Sequence, residues 1–417
     1  MKESSRSLAL DALARWRRGM EFADRIVGEI LAGSSLSSAD RAFALELFYG
    51  VLRNLTLLDF WIAQLRSEPV DDGSRDLLRI GLYQILLIDT AAHAAVFETV
   101  KLTRPRARSL INAILRRALR EKAALMNAAA AQSLAVRYST PDFLLEKWSR
   151  QFAVADVSAL CQWNNQPAPV YARINQLKIT VAEFLERYPE STLLPGNRNF
   201  VTLRDPGAAL AAGDCYIQDP STAQACEMLQ PAPGESVLDA CAAPGGKAAY
   251  LAEMMQNQGT LTAADQDDTR LQRVRDNFTR LGVANAHSVR CNWTDEESVR
   301  AANIAAQSFD RILVDAPCTN TGVMRRRVDV RWRLRPEDFA RMPRQQLAIL
   351  RAVAPLLKPG GSLVYSTCSL EPEENEEVIA TFLNERPEFR LTTSLTRLPF
   401  RDYFDGAFAA RLERSPP

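Results

Sequence analysis

At 417 residues, with 47% hydrophobic side chains, the chain is long enough for two or three domains, each with its own core. Lys and Arg total 51 against 50 Asp and Glu, so global charge selects no polyanionic partner and any such site must come from local clustering. Seven cysteines (Cys161, Cys215, Cys226, Cys241, Cys291, Cys318, Cys368) without a C-x-x-C pair, and two histidines, argue against a metal framework; the odd, scattered set also argues against disulfides and for a reducing compartment.

The opening "MKESSRSLALDALARWRRG" is amphipathic and lacks the continuous apolar core of a cleavable signal. The most apolar later run, "IGLYQILLIDTAAHAAV", is broken by Asp89 and His93 and is too short to span a bilayer, so the protein reads as cytoplasmic. From Ser4 to about Ala131 apolar residues recur at helical spacing, as in "RAFALELFYGVLRNLTLLDFWIAQL" and "LINAILRRALREKAALM", with Ser38 and Asp40 placed to cap. Residues 1–135 therefore read as an all-α domain. Residues 136–215 read as a small α+β unit, with Pro141 at a helix start and a strand at "VYARIN".

From Tyr216 to the end, 216–417, helices and strands alternate. The strand "SVLDA" runs through a glycine turn into a helix, "TLTAAD" ends in an acid, "FDRILVDAP" is a buried strand and "GSLVYSTCS" another. This is the pattern of a doubly wound α/β sheet, with ligands at the carboxyl ends of its strands.

Three stretches carry chemistry. In "DACAAPGGK", Gly245 and Gly246 let the backbone approach a ligand at a helix N-terminus, although any strand-to-helix turn uses glycine as readily. Asp265 ends the next strand about 20 residues on, where an acid accepts hydrogen bonds from ribose hydroxyls. Without G-x-G-x-x-G a dinucleotide is disfavoured, which leaves adenosine-bearing cofactors such as S-adenosylmethionine. In "DAPCTNTG", Asp315 and Cys318 follow a buried strand; alone, the acid equally caps a loop and the thiol equally packs as a small hydrophobe. "STCSLEPEEN" puts Cys368 at the end of a further strand. If those strands are neighbours, both thiols and Asp315 face one cleft, and three independent burials explain them poorly. Glu371, Glu373, Glu374, Glu376 and Glu377 read as a helix N-terminal turn and solvated face rather than a metal site.

Together, "DACAAPGGK", "DAPCTNTG", "STCSLEPEEN" and the preceding "YIQDPSTAQ" resemble the S-adenosylmethionine-dependent RNA cytosine-5 methyltransferases of the NOL1/NOP2/Sun family. The helical front resembles the NusB-like domain carried by one bacterial branch, the small-subunit (16S) ribosomal RNA methyltransferases of the Sun/Fmu type, and "PFRDYFDGAFAARLER" looks like the family's terminal hairpin. The resemblance implies a Rossmann-like methyltransferase domain behind a NusB-like domain and a small α+β RNA-binding subdomain. It implies that Cys241, Ala242, Ala243, Pro244, Gly245, Gly246 and Lys247, with Asp265, hold S-adenosylmethionine. It implies that Cys368 is the nucleophile, that Cys318 assists release of the methylated base, and that Asp315 contacts the cytosine edge near the methyl donor. Asn292 stands where many relatives carry an acid facing the adenine.

Relatives usually show serine and then Ala-Thr-Gly after the Pro-Cys pair, whereas this chain has "CTNTG", and the usual His-Pro is replaced within "MRRRVDVRW". The substrate-side loop is therefore expected to differ in shape while the thiols are untouched. RNA is expected to meet two basic clusters, Arg104, Arg106, Arg108, Arg116, Arg117 and Arg120 in the helical domain and Arg325, Arg326, Arg327, Arg331, Arg333 and Arg335 beside the site, although charge runs are usually solvated faces. The expected partner is 16S ribosomal RNA, with no membrane and no DNA, and the chain reads as a monomer. Transfer RNA is the runner-up substrate. From another class, an RNA-binding scaffold with an inactive methyltransferase fold remains open.

Overall fold

In a computed structural model, described for residues 3–19 and 21–416, the chain separates into two units, Met1–Pro167 with Met324–Arg333, and Ala168–Val323 with Leu334–Pro417. Met1 and Lys2, part of the opening stretch read for a signal, lie outside the described residues.

The first unit is helical. Helices Ser5–Arg17, Ser38–Arg53, Leu55–Leu65, Asp72–Leu86 and Arg108–Arg120 direct their apolar faces into one core containing Leu13, Phe48, Trp61, Leu78, Leu82 and Leu115. Gly50 permits the tightest approach there, since a Cβ on it would lie 2.1 Å from the Tyr83 side chain. The cap of Ser38–Arg53 is Ser37, whose Oγ accepts from the Asp40 amide at 3.2 Å, so Ser38 and Asp40 lie within the first turn rather than at the cap. Arg104, Arg106, Arg108, Arg116, Arg117 and Arg120 are all exposed on this unit.

The segment Met324–Arg333 is built into the same unit, and this corrects the reading of its arginines as an RNA-facing cluster. Val328 belongs to the helical core. Asp329 Oδ2 accepts from the Ala23 amide at 2.7 Å and so caps helix Ala23–Ala32, whose own N-cap residue Phe22 has no side chain able to do so. Arg331 is buried and donates to the carbonyls of Tyr138 and Asn164 and to Asn165 Oδ1, at 3.1, 2.8 and 2.8 Å. Burial pushes its guanidinium down to about 9, still above neutrality, so it is a buried cation held by neutral acceptors. Arg333 donates to the Trp16 and Glu21 carbonyls, and Arg325 lies 3.8 Å from the centre of the Trp163 ring. Of the six arginines, Arg327 and Arg335 are the exposed ones.

The second unit holds two sheets. Strands β1 (Tyr171–Ile174), β2 (Thr192–Leu193), β3 (Phe200–Thr202) and β4 (Cys215–Ile217) form a small antiparallel sheet in the order β2-β3-β1-β4. Strands β5 (Ser236–Asp239), β6 (Thr260–Asp265), β7 (Ala286–Arg290), β8 (Phe309–Asp315), β9 (Leu357–Thr367), β10 (Phe389–Arg397) and β11 (Ala407–Arg414) form a larger one in the order β10-β11-β9-β8-β5-β6-β7. From β9 to β7 neighbours are parallel, while β11 and β10 close one edge as an antiparallel hairpin.

Alternation along the strands explains the layers. Leu238, Ile312, Val314, Leu363 and Tyr365 enter the core under Ile349, Leu350 and Phe382, whereas Val237, Leu313 and Val364 enter the opposite core with Leu251, Leu271 and Val274. Both faces are thus covered, as in a doubly wound α/β fold. The chain runs outward from β5 through β6 and β7 on one side and resumes with β8 and β9 on the other. The switch point therefore lies between β5 and β8, and the crevice there is where such sheets bind ligands. Among the described residues no helix is long and apolar enough to cross a membrane.

Candidate active site at the carboxyl edge of the sheet

Every motif singled out above leaves the sheet on this edge. After β5 the turn Ala240–Gly245 leads into helix Gly246–Met254. Gly245 has φ 105°, a conformation that favours glycine, and a Cβ there would press on the Val274 backbone at 3.2 Å. The turn is braced from helix Asp268–Leu281, where Asn277 Nδ2 donates to the Pro244 carbonyl at 2.9 Å and Arg270 to the Ala243 carbonyl at 3.4 Å.

Asp239, at the end of β5, was not singled out by sequence. It is fully buried, and its Oδ2 has no hydrogen-bond partner among the described residues. Burial, reinforced by the negative charge of Asp315, pushes its carboxyl up to about 7. Asp265, at the end of β6, is buried with Oδ1 accepting from the Asp267 amide at 3.2 Å and Oδ2 lying 3.3 Å from Arg270. Asn292 follows β7 and lines a cleft with Gln266, Asp267, Arg290, Asp295 and Ser298. Its Oδ1 accepts from the amide and hydroxyl of Thr294 at 3.1 and 2.8 Å, which leaves Nδ2 as the group able to face a ligand.

An orphaned buried carboxylate oxygen, a glycine turn at a helix N-terminus and an acid on the neighbouring strand fit a cationic, adenosine-bearing group. Lys247 reaches from the helix to Asp315 at the end of β8, Nζ to Oδ2 at 2.6 Å, and Ser366 Oγ donates to Asp315 Oδ1 at 2.9 Å. Burial alone would lower the Lys247 pKa, but the adjacent Asp315 carboxylate outweighs it and holds the ammonium above its usual range.

The loops after β8 and β9 bring the two thiols together, with Cys318 Sγ 3.3 Å from Cys368 Sγ. The register behind this pairs Asp315 with Ser366 on adjacent strands. Beyond the strands the loops are joined directly: the Gly322 amide donates to the Cys368 carbonyl at 2.9 Å and the Leu370 amide to Thr321 Oγ1 at 2.9 Å. A Cβ on Gly322 would lie 2.8 Å from that carbonyl oxygen, so the approach requires glycine.

The bond to Cys368, followed by burial, keeps the Cys318 thiol protonated well above its usual range. Burial likewise pushes up the thiols of Cys161, Cys215, Cys226, Cys241 and Cys291, as expected of packed small hydrophobes.

Two expectations need correction here. The altered "CTNTG" does touch a thiol: Asn320, in a left-handed conformation with φ 60°, places Oδ1 3.2 Å from Cys368 Sγ while its Nδ2 donates to the Cys318 carbonyl at 2.8 Å. The acids after Cys368 are not one solvated face either. Glu376 and Glu377 sit in the first turn of helix Glu376–Glu385, but Glu371 and Glu374 are fully buried. Glu374 collects Thr319, Ser369 and Gln346, and sequence offered one signal for it, a hydroxyl residue directly after each cysteine.

Comparison with known proteins identifies the family. The family model for 16S rRNA methyltransferase RsmB/F matches residues 226–410, that of the NusB family matches 3–120, and a ferredoxin-like domain of the RsmF/B-like methyltransferases matches 140–193. The probable ribosomal RNA small subunit methyltransferase B of Bacillus subtilis is 33% identical over 95% of this chain and 92% of its own. That of Synechocystis is 34% identical over 99% and 100%, and the ribosomal RNA small subunit methyltransferase B of Yersinia pseudotuberculosis 35% identical over 91% of each.

Among solved structures, PH0851 shares the fold with a TM-score of 0.79 at 24% identity, covering 99% of this chain and 100% of its own. A methyltransferase homologue from Pyrococcus horikoshii has a TM-score of 0.58 at 29% identity, covering 67% of this chain and 97% of its own. The chain thus belongs to the ribosomal RNA small subunit methyltransferase B family, RNA methyltransferases whose methyl donor is S-adenosylmethionine.

Proposed function

We propose that this enzyme methylates C5 of a cytosine in 16S ribosomal RNA through a covalent bond between Cys368 and C6 of that base. The observation that carries the reading is the pair of thiols, 3.3 Å apart at the ends of adjacent strands, in which Cys318 retains its proton. A Cys318 S–H directed at its neighbour stabilises a thiolate on Cys368, the form that attacks.

Cytosine C5 is a poor nucleophile. Addition of the Cys368 sulfur to C6 breaks the C5=C6 π bond and moves its electron pair toward C5, while the proton given up by the Cys368 thiol is taken up at N3 and returns to that sulfur when it is expelled. The Asp315 carboxylate, held by Lys247 and Ser366, faces that protonated edge and lowers the cost of the addition. S-adenosylmethionine, when bound in the turn Cys241–Lys247 with Asp265 on its ribose and Asn292 toward its adenine, supplies an electrophilic methyl group.

Loss of the C5 proton then returns an electron pair to the C5–C6 bond and expels Cys368. Cys318 is the base for that step. The main cause that keeps it protonated is its bond to Cys368, and this cause disappears once Cys368 is joined to carbon. Its proton is therefore held before the methyl transfer and is easier to lose after it.

RNA binds through the exposed arginines Arg104, Arg106, Arg108, Arg116 and Arg120 of the helical unit, with the target base turned out of its stack. The test is denaturing gel analysis with labelled methyl donor and protein-free 16S ribosomal RNA or transfer RNA. Cys368→Ala is expected to lose turnover and form no protein–RNA bond, whereas Cys318→Ala methylates and stalls as an adduct. An adduct from Cys368→Ala alone would reverse the roles, and labelling of transfer RNA alone would move the substrate.

A further inference from the structure

The residues directly after the two thiols meet at one buried side chain. Glu374, fully buried in the 3-10 turn Pro372–Glu374, receives at Oε2 the Thr319 backbone amide at 3.0 Å and Gln346 Nε2 at 2.8 Å. Its Oε1 receives Ser369 Oγ at 2.6 Å and the Thr319 hydroxyl. Its own carbonyl accepts from Tyr365 Oη at 2.6 Å, which fixes the turn to β9, while Gln346 also donates to the Pro317 carbonyl at 2.9 Å.

Thr319 follows Cys318 and Ser369 follows Cys368. One carboxylate therefore ties down the chain one residue beyond each sulfur. Both donors to Oε2 are N–H groups that can only donate, so the group meeting them must accept at both positions. A buried charge of this kind is tolerated only with such a complete set of donors, and four are present.

We propose that Glu374 is the positioning residue of the thiol pair: by holding the residue after each cysteine it fixes the separation of Cys318 and Cys368. The inference rests on the roles proposed above for the two cysteines. Geometry supports this, because the Gly322 and Thr321 bonds join the loops beyond the cysteines while Glu374 holds the residue adjacent to each.

Glu374→Gln is nearly isosteric but turns a donor or a neutral carbonyl toward the Thr319 amide and Gln346. In the full-length enzyme with 16S ribosomal RNA, it is expected to lower kcat by about 10- to 100-fold while both KM values stay within about twofold, the pattern of an interaction needed in the chemical steps. A role in stability alone would leave kcat of the folded variant unchanged.

Wild-type kcat in a folded Glu374→Gln protein would overturn the proposal. If that variant does not fold, Ser369→Ala and Thr319→Val each remove one leg, and wild-type kcat in both would overturn it equally. Failure of the underlying reading is separate, since it would show as turnover by Cys368→Ala with Glu374 intact.

Discussion

The loop Cys318–Gly322 and the segment Met324–Arg333 are neighbours in sequence and opposites in the use of their polar groups. The loop directs two backbone amides, two hydroxyls and a thiol onto a second loop of the same sheet, and its sulfur is left facing another sulfur. The segment directs Arg331 and Arg333 inward, onto backbone carbonyls of the helical unit. Charge density along the chain therefore does not separate a ligand-facing arginine from a structural one; the fate of the carbonyls around it does. Buried helix ends and turns at Trp16, Tyr138 and Asn164 leave acceptors that need donors, and arginine supplies several on one side chain.

The largest expected effect that sharpens this contrast is on stability. Arg331→Ala removes the donors to Tyr138, Asn164 and Asn165 together and leaves buried acceptors unpaired, so the protein is expected to lose about 3 kcal/mol or more in denaturant unfolding. Cys318→Ala, which removes little volume, is expected to cost under about 1.5 kcal/mol while stalling the reaction. If Arg331→Ala melted like the unaltered protein and instead weakened RNA binding with a shallower salt dependence, the segment would be an RNA contact after all.

Next is a pH effect from the cofactor turn. The folded-state pKa of Asp239 is raised to about 7, above an unfolded value of about 3.9, so the native state binds more protons across that interval. The stability associated with the neutral form is complete below about pH 4 and is lost as pH rises toward 7. The cofactor-free protein is expected to melt progressively lower over that window through this group, and Asp239→Asn to flatten the slope. Equal slopes in the two proteins, measured by calorimetry, would remove Asp239 as the cause.

Asp329→Ala gives a smaller effect, about 1 kcal/mol, because helix Ala23–Ala32 loses the carboxylate on its Ala23 amide and has no cap of its own. Unchanged unfolding of this variant would show that water serves that helix end as well as the segment does.

The contrast also explains what could be read from sequence. The strands β5, β6, β8 and β9 and the loops after them were legible because a doubly covered sheet demands near-continuous apolar runs, and the turns that follow demand glycine, proline and small polar residues. The all-α front was legible from helical spacing, whereas its NusB-like character came from resemblance alone. The positions of Arg325, Arg331, Glu371 and Glu374 were not legible, because burial of a charge depends on partners elsewhere in the chain, 28 and 55 residues away for Gln346 and Thr319 on Glu374 and 166 for Asn165 on Arg331. Asp239 was passed over for a similar reason: nothing local distinguishes a strand-terminal acid that is orphaned from one that is solvated.

Asn320 tests the boundary between loop and segment most finely, because it lies in the thiol loop yet behaves as a structural residue on one side. Its Nδ2 holds the Cys318 carbonyl and its Oδ1 accepts from the Cys368 thiol. That second bond must be given up when the Cys368 sulfur attacks. Asn320→Ala therefore removes a stabiliser of the resting thiol together with a brace of the loop, and these act in opposite directions on the attack. The left-handed backbone, which tolerates asparagine better than alanine, adds a cost of about 1 kcal/mol to folding. Asn320→Gly relieves that backbone cost and isolates the side chain. Stopped-flow adduct formation by Cys318→Ala and Cys318→Ala/Asn320→Gly should show a rise of a fewfold or less in the double variant. A fall would mean that the brace outweighs the hydrogen bond, and would place Asn320 with the arginines of Met324–Arg333 rather than with the thiols.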